Sequence, residues 1–126
     1  MILFIDDDTV LQQLITVIFE QNNYDVTTMD NGNDAIEWLA KGNICNLIIT
    51  DIHMKNGSGL ELVHWAHEHG KKIPVIVVTG DDVPSIQHSE LYTEIKDLPF
   101  MSKPFNTEQI LQQVKVHYRV CGLKCG

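Results

Sequence analysis

Five short apolar runs, each followed by a stretch with helical periodicity or a turn into one, constrain this chain more than any other feature. The runs are Ile2 to Ile5, Tyr24 to Met29, Leu47 to Ile49, Val75 to Val78 and Leu98 to Ser102. A short unbroken run rich in β-branched residues fits a strand buried on both faces, and such strands belong to parallel sheets covered by helices. Strands alternating with helices give the rhythm of an α/β domain with helices on both sides of its sheet. At 126 residues there is room for one domain with one substantial core.

The helical segments carry their own signals. Leu11, Leu14, Ile15 and Ile18 recur at helical spacing and form a face fit to pack on the sheet. Asn22-Asn23 closes that helix, since Asn tolerates a left-handed C-terminal position. Ala35, Ile36 and Leu39 line a second helix, which stops near Gly42. A third is expected over Gly59 to His69, with Leu60, Leu62, Val63 and Ala66 inward. A fourth, sparse in apolar residues, is expected from about Ser85 to Tyr92, with Pro84 in its first turn. The last starts after Asn106, an N-cap with Gln109 as its capping-box partner, and buries Ile110, Leu111, Val114 and Tyr118.

Composition excludes several functions. The net charge of −8 leaves nothing to neutralise a phosphate backbone, so no direct nucleic-acid contact is expected. No run is long enough to span a membrane, and the first apolar run meets three aspartates at once, unlike a signal peptide. The expected location is cytoplasmic. Cys45, Cys121 and Cys125 do not suggest a disulfide framework; the last two fall in a tail, 121–126, after a domain of residues 1–120. His64, His67 and His69 cluster on the third helix, but a solvated helix end explains them better than a metal site. Trp65, between core positions, is expected to be partly exposed.

Chemistry gathers at the strand ends. Strand one stops at Asp6-Asp7-Asp8, strand three at Asp51, strand four at Thr79 and strand five at Lys103. Sites of open α/β folds lie at the carboxyl ends of their strands. Clustered carboxylates repel and desolvate badly unless a hard cation joins them, and Mg2+ takes one or two carboxylates with water and phosphate oxygens. With a cation and a lysine to offset phosphate charge, a carboxylate such as Asp51 can attack phosphorus and form an acyl phosphate. Asp8 and Thr9 are simplest as caps of helix one.

The stretches I-L-F-I-D-D-D, I-I-T-D-I-H-M with G-S-G after it, V-I-V-V-T-G and M-S-K-P-F stand in the order found in one family. The chain resembles the receiver domain of bacterial two-component response regulators. The resemblance implies a flavodoxin-like, CheY-like fold: a doubly wound five-stranded parallel sheet of order 2-1-3-4-5 flanked by five helices. It implies Asp51 as phosphoacceptor, and Mg2+ (or Mn2+) held by Asp7, Asp51 and the backbone carbonyl of His53, with Asp6 mostly through water. Thr79 and Lys103 would bind phosphoryl oxygens, Thr79 and Phe100 would switch, and the Lys103–Pro104 bond is often cis in such domains. Lys55 and Gly80 depart from the family pattern. The implied partners are a sensor histidine kinase or histidine phosphotransfer protein. A downstream protein or fused output domain would use the face of the fourth helix, fifth strand and last helix, as monomer or phosphorylation-dependent dimer. Self-catalysed phosphorylation and autodephosphorylation of Asp51 would follow.

Two other readings are open to the residues. Asp6-Asp7-Asp8-Thr9-Val10-Leu11 fits the D-x-D-x-[TV]-L opening of haloacid-dehalogenase-type phosphatases, although Asp81-Asp82 precede Lys103 where that family needs them after it, and Asp51 is left without a role. The chain would otherwise be a receiver-like binding module that signals without phosphate.

Overall fold

The computed structural model describes residues 1–52, 59–79 and 98–118. Five parallel strands form one sheet in the order β2-β1-β3-β4-β5: β1 Ile2–Ile5, β2 Val26–Met29, β3 Leu47–Asp51, β4 Val75–Thr79 and β5 Phe100–Ser102. The described helices are α1 Thr9–Gln21, α2 Gly32–Ala40, α3 Gly59–Glu68 and α4 Thr107–His117. The helix expected over Ser85 to Tyr92 lies outside the described residues, as do His53, Lys55, Gly80 and the tail with Cys121 and Cys125.

Side chains alternate across a strand, so each strand splits its residues between two cores. Ile2, Phe4, Leu47, Ile49, Ile76, Val78 and Met101 pack with Ile15, Ile18 and Phe19 of α1 and Ile110 and Val114 of α4. Leu3, Ile5, Ile48, Val75 and Val77 pack with Ala35 and Leu39 of α2 and Leu60, Leu62 and Val63 of α3. The unbroken apolar runs are thus explained: both faces of the central strands are covered.

Local chemistry sets the helix ends. Asp8 accepts the amides of Val10 and Leu11, Asn31 accepts that of Asp34, and Asn106 forms the expected reciprocal pair with Gln109. Asn23 takes the left-handed conformation at φ 67°, with its amide on Glu20 and that of Tyr24 on Phe19, a Schellman closure of α1. This closure shortens the second strand relative to the sequence reading. Tyr24 is drawn into the end of α1, where its ring meets Phe19 at 6.2 Å and Tyr118 at 5.2 Å. The fifth strand begins at Phe100 rather than Leu98 because Pro99 has no N–H to pair; its carbonyl accepts the Val77 amide instead.

Two helix-face assignments change. Leu14 is 54% exposed, and Phe19, outside the expected stripe, is fully buried beside Ile15 and Ile18. Trp65 is half-buried as expected and stacks on His69 at 4.4 Å. In the histidine cluster Glu68 pairs with His64 at 2.9 Å, an ordinary i,i+4 surface contact. Cys45 is buried, and burial pushes its thiol up to about 11, so it is protonated and unreactive at neutral pH.

Gly59 has a steric task. A Cβ there would collide with the Asp51 carbonyl and lie 2.8 Å from Thr50 Oγ1. Its amide also donates to Ile52 at 3.3 Å, so α3 is seated directly on the end of β3. Gly59→Ala is expected to destabilise the domain by about 1–3 kcal/mol, the usual cost of overpacking. Urea unfolding measures it, and an unchanged midpoint and slope would mean that α3 moves aside at no cost.

Candidate functional site

The same alternation that builds the cores aims three charged side chains to one side. Asp6 continues the Ile2, Phe4 series, Asp51 the Leu47, Ile49 series, and Lys103 follows Met101. All three therefore emerge at the carboxyl rim over the α1 and α4 face. Lys103 starts just past β5, two strands from β3 and roughly 10 Å away at sheet spacing, and its long side chain crosses that gap. Its Nζ donates to Asp6 Oδ2 at 2.6 Å and to Asp51 Oδ2 at 2.7 Å.

The cluster is poorly solvated. Asp6 is 1% exposed and Asp51 8%, while the lysine side chain is 26% exposed. Burial raises the Asp6 carboxyl above the usual carboxylate range, and the Lys103 hydrogen bond and the Asp8 amide pull it back. For Lys103 burial acts to lower the ammonium pKa, but hydrogen bonds to Asp51 and Asp6 outweigh it and the net shift is upward. A raised lysine pKa means that its contribution to stability is complete below its unfolded value and is lost as pH rises through the folded one. Both Asp6 oxygens are engaged, Oδ2 by Lys103 and Oδ1 by the Asp8 amide at 2.9 Å. Asp7, next along the turn, is exposed.

Of the other expected site residues, Thr79 ends β4, the strand between β3 and β5, in register with Ser102. The position of its hydroxyl lies outside the described part of the structure. Phe100 is half-buried in β5 and packs against the α2 and α3 core. The Lys103–Pro104 peptide bond is cis. His53 lies outside the described residues, and with it the expected carbonyl ligand. Among the described residues, no three His, Cys, Asp or Glu side chains stand close enough to cage a metal ion. The sequence reading gives Gly59 no role at the rim; its signal is the G-S-G stretch, whose second glycine falls eight residues after the strand-end carboxylate Asp51.

Removing the cation has a definite electrostatic consequence. In Lys103→Met, Asp6 loses the hydrogen bond and charge that lower its pKa, so its carboxyl should titrate at higher pH than in wild type. Carboxyl carbon NMR in metal-free buffer follows this directly; an unmoved titration would mean that Lys103 does not offset the Asp6 charge.

The model of the response regulator receiver domain matches residues 2–115. The chain is 30% identical over 122 residues to the transcriptional regulatory protein ResD of Bacillus subtilis, covering 94% of this chain and 48% of that protein. It spans 53% of a second B. subtilis regulator, YkoG, and is thus about half the length of these curated relatives. Among solved structures, a CheY-like receiver domain protein of Methanospirillum hungatei superimposes with a TM-score of 0.79 at 26% identity, covering 91% of this chain and 90% of that one. The response regulator TrrA of Thermotoga maritima, solved in complex with Mg2+ and BeF, gives 0.76 at 25% identity, covering 91% and 96%. These likenesses do not favour the phosphatase reading, and they agree with the strand order: the chain belongs to the response regulator receiver domain family of two-component systems.

Proposed function

We propose that Asp51 accepts a phosphoryl group from a phosphohistidine on a sensor histidine kinase or histidine phosphotransfer protein. The observation that carries this is the Lys103 ammonium held on Asp51 and Asp6 together at the sheet rim. In the transfer, the N–P bond of the donor breaks, a carboxylate oxygen of Asp51 forms the new O–P bond, and the donor imidazole leaves. Two anions must approach for this, and Lys103 lowers the repulsion as a point charge beside the place where charge gathers. The Thr79 hydroxyl is proposed to donate to a phosphoryl oxygen.

The donor set suits Mg2+, which needs one or two carboxylates rather than a protein cage. With both Asp6 oxygens engaged, Asp51 and exposed Asp7 are the proposed direct ligands, the His53 carbonyl another, and Asp6 acts through water. Once bound, Mg2+ (or Mn2+) would offset phosphoryl charge and orient its oxygens. The phosphorylated domain, residues 1–120 followed by the tail 121–126, would shift between two states through Thr79 and Phe100. The face including β5 and α4 would then change its affinity for a downstream protein, a fused output domain or a second copy. Autodephosphorylation, the hydrolysis of the acyl phosphate by water, resets it. No described helix is long and apolar enough to cross a membrane, and we place the domain's work in the cytoplasm.

Incubation with acetyl phosphate and Mg2+ should give one phosphoryl mass increment in wild type and none in Asp51→Asn; a gain that persists in Asp51→Asn, or is absent from wild type, would refute the acceptor. Lys103→Ala and Thr79→Ala should still be phosphorylated, more slowly, but with a blunted partner response. Full response in both would show that the switch residues lie elsewhere. Equal partner binding by wild type and Asp51→Asn, with or without phosphodonor, would instead favour the phosphate-independent module.

A further inference from the structure

We propose that Gln12 is a positioning residue that holds the Asp6–Asp7 turn in its metal-binding shape; this rests on the Mg2+ role assigned above. The β1–β2 ladder supplies the reason. Ile2 donates to Asp25 and Asp6 donates to Met29 at 3.0 Å, so the alternate β1 amides that face β2 are paired up to the end of the strand. One rung further, the Asp6 carbonyl needs a donor, but there β2 has ended and Asn31 is already the N-cap of α2. Gln12, in the first turn of α1, fills the place: its Nε2 donates to the Asp6 carbonyl at 2.6 Å and to the Met29 carbonyl at 3.3 Å.

One side-chain amide thus ties together the ends of two neighbouring strands and the helix that follows the first. The Asp6 carbonyl is the atom whose orientation determines how the chain leaves the strand, so clamping it aims the next residue, Asp7. The turn is clamped from its other side as well. Asp8 donates its amide to Asp6 Oδ1 and caps α1 with its own carboxylate, and the main-chain N–H of Gln12 donates to the Asp8 carbonyl at 3.0 Å. Asp7 is the exposed residue between these fastened neighbours, its direction set by main-chain contacts rather than by packing of its own side chain. Gln12 itself is half-buried, whereas Gln13 beside it on α1 is exposed and is the natural control.

Gln12→Met keeps length and helix propensity while removing the donor. Gln12→Asn keeps an amide but loses its reach. Losing one such hydrogen bond should weaken Mg2+ binding by roughly three- to tenfold in both variants. It should leave Gln13→Met at wild-type affinity, as read from Mg2+ titrations of the two-dimensional amide NMR spectrum. The initial rate of phosphorylation by acetyl phosphate should fall in both Gln12 variants at limiting Mg2+ and recover as Mg2+ is raised, while Gln13→Met follows wild type throughout. If Gln12→Met does not fold, Gln12→Asn decides. Wild-type Mg2+ affinity in the folded variants, or equal weakening in Gln13→Met, would overturn the Gln12 assignment alone. A wild-type protein that binds no Mg2+ would overturn the proposed function on which it rests.

Discussion

The ammonium of Lys103 lies between two carboxylates that cannot comfortably share a rim without it. Asp6 is almost wholly buried, and its charged form is disfavoured by that burial. Lys103 makes the arrangement tenable, and the two aspartates in turn hold the ammonium, whose own burial works against it. Such a cluster is a poor source of stability, because desolvation consumes most of what the ion pairs return. It is well suited to a site that must receive a dianionic phosphoryl group, since the positive charge is in place before the substrate arrives.

This interaction places demands on the whole sheet. The bonded residues are 97 and 52 positions apart in sequence, and the contacts exist only if the three strands that deliver them end at one level. Parallel pairing supplies the common level, and alternation along each strand supplies the common side. The two cores beneath serve the site in different ways. The α1 and α4 core contains the residues immediately preceding Asp6, Asp51 and Lys103 in the alternation. The α2 and α3 core fixes the underside, with Gly59 bringing α3 against the Asp51 peptide. The turn after β1 is secured by polar contacts instead, through Asp8 and Gln12.

Much of this was legible in the residues. Buried strands announce themselves as β-branched runs because both faces are covered, and caps announce themselves because Asp8, Asn23 and Asn106 meet a backbone need that few residue types meet. The misreadings were local competitions. Tyr24 has strand-like chemistry, yet its amide is needed to close α1. Leu14 fits the helical spacing yet is exposed, whereas Phe19, four residues on from Ile15, extends the buried stripe to the far end of α1. Pro99 removes a donor that a strand from Leu98 would have required.

The sequence alone determined which strands end in charge, the kind of charge, and the family those motifs belong to, because unbroken apolar runs and strand-terminal polar residues are local properties of the chain. Only the tertiary structure decided that Lys103 bonds both Asp6 and Asp51, and that Gln12 replaces a missing rung of the ladder. It alone decided that Gly59 has no space for a side chain. Each of these depends on how one element is set against another in space, which is fixed when the helices cover the two faces of the sheet and not before.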